Sequence, residues 1–416
     1  MTRWSGPAIG GVADGVDVAR LKQSWSLVAA HGDQVPLYFY STLFLAHPDT
    51  RQMFPTNMAG QRDRLVSALG HVVSNVDQVD RLVGYLQDLG VDHRKFAVRP
   101  EHYPAVGEAL LATLRHFLGD EWSDGLHEDW AAAYGLVAKV MQDAAAEAEN
   151  VSPPWWVSEV VAHEPRGFDV AVITLRPQYL LPFTPGQSIG VSSPTVRSWR
   201  YYSPANAPRS DGTIELHVRA APGGVVSSRL VYGVSVGDQV NLASPVGDRL
   251  TLRRAGGADL LLLAGGTGWA PMKALVEQVA ADGGAGRRVD LYLAARSRTE
   301  FYDREAVEKL AASYPWLRVG YVAGADPEPQ GAPAPRGGLP IAEQVFADGD
   351  FRGRQVFVCG ADPMVAATVG ALLRNGFHSD QVHHEGLGNH WYGPDRRLAG
   401  DGPVYGSAPQ AYGGTE

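Results

Sequence analysis

VDHRKFAVRPEHY, residues 91–103, sets two histidines, a tyrosine and several charges between two apolar helical stretches. Leu82, Leu86, Leu89 and His93 are spaced by four, three and four, so the imidazole continues the apolar stripe of a helix. A histidine there is either a core residue satisfied by a backbone carbonyl or a ligand, and its company bears on the choice. Gln61 shares a stripe with Leu65, Ala68 and Val72, and Tyr40 shares one with Leu37 and Phe44. Three helices thus each aim one polar group inward from an apolar face. A buried polar group costs free energy unless it is paired, so three together point to a shared ligand.

Outward from this stretch the chain changes texture twice. Residues 15–149 read as all-α, with apolar positions recurring at three and four. SPPWW at 152–156 breaks that pattern as a linker. Residues 153–256 carry short strands such as FDVAVITLR and TIELHVR, separated by the turns TPGQ, PGG and VGD, which predicts an antiparallel β-barrel. In 257–388, strand-like runs such as DLLLLAG and RQVFVCG alternate with helical ones, the pattern of an α/β domain with a parallel sheet. PEPQGAPAPRGG at 327–338 reads as a loop insertion, and the Gly- and Pro-rich 389–416 as a flexible tail. The expected molecule is multidomain.

Composition narrows the function. Of the 416 residues 45% are hydrophobic, enough for large cores, and the net charge of −9 argues against nucleic acid. The lone cysteine, Cys359, rules out an internal disulfide framework and suits a reducing cytosol. The first residues lack the apolar core of a signal peptide, and no run of about 20 strongly apolar residues exists to span a membrane. A cytoplasmic protein is expected.

Tyr40, Phe54-Pro55, Gln61, His93 and RPEHY through Tyr103, with VGEALLATL (106–114) and WAAAYG (130–135), resemble the globin domain of flavohaemoglobins. The resemblance implies haem b with His93 as iron ligand, Tyr40 and Gln61 on the distal, oxygen side, and Phe54 wedged against the haem. It also implies Tyr103 and Glu147 behind His93, Glu147 accepting the second N–H of the imidazole. Glu147 follows Leu136, Val140 and Ala144 on one stripe, although AAEAEN (145–150) equally suits a solvated helix end. Asp92 departs from the lysine often found before the proximal histidine, and no role is assigned to it.

The remainder continues the resemblance. Arg200-Tyr201-Tyr202-Ser203 is similar to the R-x-Y-S flavin motif of ferredoxin reductases. There an arginine pairs with the FAD pyrophosphate, a tyrosine packs on the isoalloxazine and a serine reaches its N5 edge. Downstream, APGGVVSS offers Gly223 and Gly224 for close backbone approach, with Ser227 expected to cap a short helix facing the phosphate. LLLLAGGTGWAPMKAL (260–275) runs from strand through Gly265, Gly266 and Gly268 into a helix with Pro271 in its first turn. VFVCGADPM places Cys359 and Gly360 at a strand end, where the cysteine either faces the nicotinamide or is a small buried hydrophobe. Ser188, and Leu387 of HEGLGNHWYG with Glu385 beside it, are expected near the flavin, where the family often has aromatics at the positions of Ser188 and Leu387. Trp391 or Tyr392 is the candidate replacement. Arg296, Ser297 and Arg298 either bind a 2′-phosphate or sit on the surface, and family habit favours NADH.

The implied activity is a nitric oxide dioxygenase whose partners are the small molecules O2, NO and NAD(P)H. Alternatives are a haem/flavin reductase or lactate-type dehydrogenase with the haem as electron sink, and an oxygen- or NO-binding sensor.

Overall fold

The computed structural model describes residues 16–196, 198–284, 286–324 and 341–386. Leu387, Trp391, Tyr392, the whole 327–338 insertion and the 389–416 tail lie outside the described residues.

The helical part comprises α1 (Val18–Ala29), α2 (Gln34–Ala46), α3 (Ala59–Ser74), α4 (Val79–His93), α5 (His102–Leu118) and α6 (Asp124–Glu149). Asp17 starts α1 by accepting from the Arg20 amide, and Ser123 starts α6 through Leu126, so each satisfies a backbone donor the helix cannot. One apolar core joins Leu21, Phe39, Leu43, Leu110, Leu114 and Trp130. A second, from Leu82, Leu86, Tyr103, Val140 and Met141, holds α4 on α6. Gly90 allows that contact, because a Cβ there would lie 2.3 Å from the Met141 carbonyl oxygen.

The next part is an antiparallel sheet of β1 (Trp156–Pro165), β2 (Val170–Pro177), β3 (Ser188–Ser192), β4 (Arg200–Tyr202), β5 (Ile214–Arg219) and β6 (Gln239–Val246). Its order is β4-β3-β6-β1-β2-β5, and an antiparallel bridge from Pro204 to Leu216 joins the two edges. The barrel interior is filled by Val160, Ile173, Leu175, Ile189, Leu216 and Leu242. A short helix, α7 (Val225–Ser228), packs with β4 against β5.

The last part is a parallel sheet ordered β11-β10-β7-β8-β9. Its strands are β7 (Leu260–Gly265), β8 (Val289–Ala295), β9 (Leu317–Ala323), β10 (Gln355–Gly360) and β11 (Val382–Gly386). The helices α8 (Trp269–Ala281), α9 (Arg304–Ser313), α10 (Ile341–Asp348) and α11 (Asp362–Arg374) complete it, with apolar cores on both faces. The strand order reverses between β7 and β10, and in such sheets a ligand binds in the crevice at that reversal, beyond the strands' carboxyl ends. Both glycine motifs of the sequence end there.

Candidate active site

His93 is the last residue of α4 and half-buried. Its Nδ1 lies 2.7 Å from the Leu89 carbonyl oxygen, which can only accept, so Nδ1 carries the hydrogen. Burial lowers the imidazole pKa against the opposing charge of Asp92, and the neutral ring therefore presents a bare Nε2 lone pair. Among the described residues that nitrogen has no hydrogen-bond partner, which is the state an iron ligand requires.

Tyr40 on α2 is 6% exposed, and burial pushes its phenol up to about 12. Its O–H reaches the Gln61 main-chain carbonyl at 3.5 Å, and its ring meets Phe54 edge-on at 5.4 Å. The fold therefore brings Tyr40 and Phe54 together with Gln61, the last through its main-chain carbonyl. The Gln61 side chain is held by Arg64, whose Nη2 donates to Oε1 at 2.7 Å. That leaves the amide NH2 as the end of Gln61 free to donate. Arg64 is a residue the sequence reading missed, although its spacing of three from Gln61 was visible; its charge reaches both Tyr40 and Lys95.

Behind His93 the structure departs from expectation. Glu147 is exposed, and the imidazole N–H that it was expected to accept goes to Leu89 instead. The last turns of α6 carry Glu147 on the solvent side of the helix. Tyr103 is buried among Leu82, Leu86 and Met141, and its carbonyl accepts from the Tyr134 hydroxyl at 2.6 Å.

On the barrel, successive residues of β4 point to opposite faces. Tyr202 packs on the barrel core, and its pKa is raised by burial. Tyr201, expected at the flavin, turns the other way: its hydroxyl meets Asp92 at 2.7 Å and takes a hydrogen bond from Lys95. Arg200 is exposed, with Nη1 donating to the Trp199 carbonyl. The Ser203 hydroxyl lies 3.2 Å from that of Ser188, so the serine that stands where the family often has an aromatic forms a polar pair instead. Ser227 does not cap α7. Gly224 is the N-cap, and the Ser227 hydroxyl reaches back to accept from the Ala221 amide at 3.1 Å, because it sits on the third helical residue. A Cβ on Gly224 would lie 2.5 Å from that hydroxyl and 3.1 Å from the Ala221 carbonyl oxygen, so a larger residue there would displace the Ser227 bond.

In the parallel-sheet crevice, Gly265 ends β7, Gly266 has φ +54° and Gly268 lies against β10. A Cβ on Gly268 would lie 2.2 Å from the Cys359 carbonyl oxygen, and one on Gly360 would meet the Met364 sulfur. Pro271 is the third residue of α8, within its first turn. Cys359 is 2% exposed, and burial, with the charge of Glu385 opposite it on β11, raises its thiol well above the ordinary range. Beside this crevice Gly266, Trp269, Glu300 and Tyr302 line a small cleft. Arg296 is exposed and paired in two places with Glu300, Nε to Oε2 and Nη2 to Oε1, each at 3.1 Å.

Barrel and parallel-sheet domain are joined by a polar network absent from the sequence reading. His217 bonds the Tyr302 hydroxyl at 2.8 Å and Glu215 at 3.0 Å, and Lys273 bridges Glu215 and Glu277. Burial alone would raise the Glu215 pKa, but His217, Lys273 and Arg209 bring it well below the ordinary range.

Comparison with known proteins covers all three parts. Family models match residues 37–141 as globin, 158–249 as an oxidoreductase FAD-binding domain and 262–370 as an oxidoreductase NAD-binding domain. A flavohemoprotein of Deinococcus radiodurans is 30% identical over 358 residues, spanning 79% of this chain and 88% of that one. The chain belongs to the flavohaemoprotein family. A Bordetella pertussis flavohemoprotein is 28% identical over 397 residues, 89% of this chain and 97% of its own. The fold matches the crystal structure of a Malassezia yamatoensis flavohemoglobin with bound FAD and heme, at TM-score 0.69 and 19% identity, over 89% of this chain and 98% of that one.

This flavohaemoprotein is accordingly an oxidoreductase with haem, FAD and a nicotinamide nucleotide as cofactors. The residues fit them. His93 offers a bare nitrogen, Gly266 turns at φ +54° after β7 with nothing within 4 Å of an added Cβ, and the Ser203 hydroxyl just after β4 pairs with that of Ser188 on β3. Among the described residues no helix is long and apolar enough to cross a membrane.

Proposed function

We propose that this flavohaemoprotein is a nitric oxide dioxygenase, oxidising nitric oxide to nitrate with dioxygen on electrons from NAD(P)H. The observation that carries this reading is a geometric one: a buried phenol, Tyr40, lies against Gln61 and Phe54, so two hydrogen-bonding residues share one apolar corner. A buried phenol keeps its proton near neutral pH, as any phenol does, and is shielded from water, so it is a donor suited to negative charge that builds up on oxygen during the reaction. The Gln61 amide adds a second donor, oriented because Arg64 occupies its oxygen. His93 would hold the haem from the other side through Nε2.

Haem supplies oxygen binding and one-electron chemistry, and FAD converts a nicotinamide hydride into single electrons. The chain's own share is placement. Tyr202 and Ser203 would orient the flavin, and the turn at 265–268 would admit the nucleotide. The Ser188–Ser203 pair favours a second reading, a haem/flavin reductase, since a flavin without the usual aromatic cover is more open to other acceptors. NAD(P)H oxidation and nitrate formation, measured under oxygen with and without nitric oxide, separate the two. A dioxygenase accelerates with nitric oxide and yields nitrate. Oxidation at one rate in both conditions, without nitrate, overturns the proposal in favour of the reductase.

A further inference from the structure

Three side chains outside the catalytic groups join the globin to the barrel beside His93. Asp92 is 7% exposed and Lys95 5%, and the two form an ion pair one helical turn apart. The Tyr201 hydroxyl closes the triangle, donating to Asp92 at 2.7 Å and accepting from Lys95. The Lys95 ammonium also lies over the rings of Tyr201 at 4.7 Å, Phe96 at 4.9 Å and Trp199 at 6.0 Å. On the other side of His93, Arg94 donates to the Ser152 carbonyl at 2.6 Å and to its hydroxyl at 3.1 Å, tying the helix end to the linker.

A buried ion pair adds little net stability, because desolvation offsets the attraction, and what it fixes is arrangement. The arrangement here is specific. Asp92 is bonded covalently to His93, and Tyr201 to Tyr202. One hydrogen bond therefore separates the residue preceding the iron ligand from the residue preceding the flavin-side tyrosine. β4 is a three-residue strand laddered to β3 and joined towards β5 only through the Pro204–Leu216 bridge just beyond it, so contacts on its outer face help to fix its position.

We propose that Asp92, Lys95 and Tyr201 are positioning residues, an interdomain lock that holds the end of α4 against β4 and sets the rate of electron passage from flavin to haem. The donor of that electron is flavin reduced by NAD(P)H, and its acceptor is ferric haem. The proposal rests on the reading that haem lies at His93 and FAD at Tyr202.

The test uses the full holoenzyme with Tyr201→Phe, which removes one hydroxyl and keeps the ring. Two rates are read separately without oxygen: reduction of the flavin by NADH, and reduction of the haem trapped with carbon monoxide. Amide exchange at 91–97 and 199–203 is read alongside. Flavin reduction should stay at the parent rate while haem reduction falls about tenfold, and exchange at both segments should rise about tenfold or more, the weight of one charge-assisted hydrogen bond. Asp92→Asn, similar in shape, should act alike, and the double variant should cost less than the sum of the two. Parent haem reduction in Tyr201→Phe overturns the role, even if exchange rises, because the contact is then packing alone. A parent enzyme whose haem NADH cannot reduce overturns the reading that places haem at His93 and FAD at Tyr202, and the rate-setting role with it. The exchange measurement needs no turnover, so absent coupling between Tyr201 and Asp92 sinks the lock independently.

Discussion

Leu89 decides how His93 is used. Its carbonyl takes the Nδ1 hydrogen, which fixes the tautomer without any carboxylate and leaves Nε2 for the metal. Replacing His93 by Ala should empty the purified protein of haem and leave FAD in place, read as the ratio of Soret to flavin absorbance. Glu147→Gln should leave both cofactors and turnover at parent values, because that carboxylate is exposed and away from the imidazole N–H. Slower turnover in Glu147→Gln would contradict this account of the proximal side. At the nucleotide end a similar local commitment matters. Arg296 is held by Glu300, so a carboxylate stands where a 2′-phosphate would seek a guanidinium. NADH should be the better donor, and Glu300→Gln should raise kcat/KM for NADPH relative to NADH. The pair is exposed, so the gain should be modest, roughly threefold to tenfold at low salt. An unchanged ratio returns Arg296 to the surface.

Elements show why small residues sit where they do. On α4, Gly84 is exposed with nothing within 4 Å of an added Cβ, whereas a Cβ added to Gly90 would lie 2.3 Å from the Met141 carbonyl oxygen. Alanine favours a helix over glycine by about 1 kcal/mol, so Gly84→Ala should raise the thermal midpoint slightly. At Gly90 the obstacle is backbone and cannot rotate away. An overpacking cost of about 1–3 kcal/mol should exceed the propensity gain, lowering the midpoint and loosening haem one turn from His93. Equal midpoints for the two variants would falsify this account of the α4–α6 contact. The sequence announced α4 through the spacing of Leu82, Leu86, Leu89 and His93, and three-domain order through its change of period, because both are local and repetitive. Arg64 and the Asp92–Lys95–Tyr201 triangle were not legible in the same way. Lys95 looks like any solvated lysine until β4 is laid beside it, a contact between residues 106 apart in the chain. Tyr201 and Tyr202 illustrate the limit from the other side: the motif named both, and only the strand's alternation separates them.

The whole molecule shares one electrostatic property, which is buried tyrosine. Burial holds the phenols of Tyr40, Tyr85 and Tyr103 at about 12, and raises Tyr134 further, in the globin. It raises Tyr202 in the barrel and Tyr292, Tyr302 and Tyr321 in the nucleotide domain. The ordinary phenol pKa is 10.0, so the unfolded chain releases these protons first as pH rises. The stability these phenols contribute is thus fully present below pH 10 and is lost as pH climbs through about 12. A single phenol shifted in this way is worth about 2–3 kcal/mol across that window. Tyr40→Phe tests one share of it. Phenylalanine cannot ionise, so unfolding free energy measured in urea should fall less steeply between pH 10 and 12 than in the parent, whatever the level at neutral pH. Identical slopes would mean that Tyr40 ionises normally in the fold. Its hydroxyl would then be solvated in the fold, and the buried pair of Tyr40 and Gln61 on which the dioxygenase reading rests would be lost.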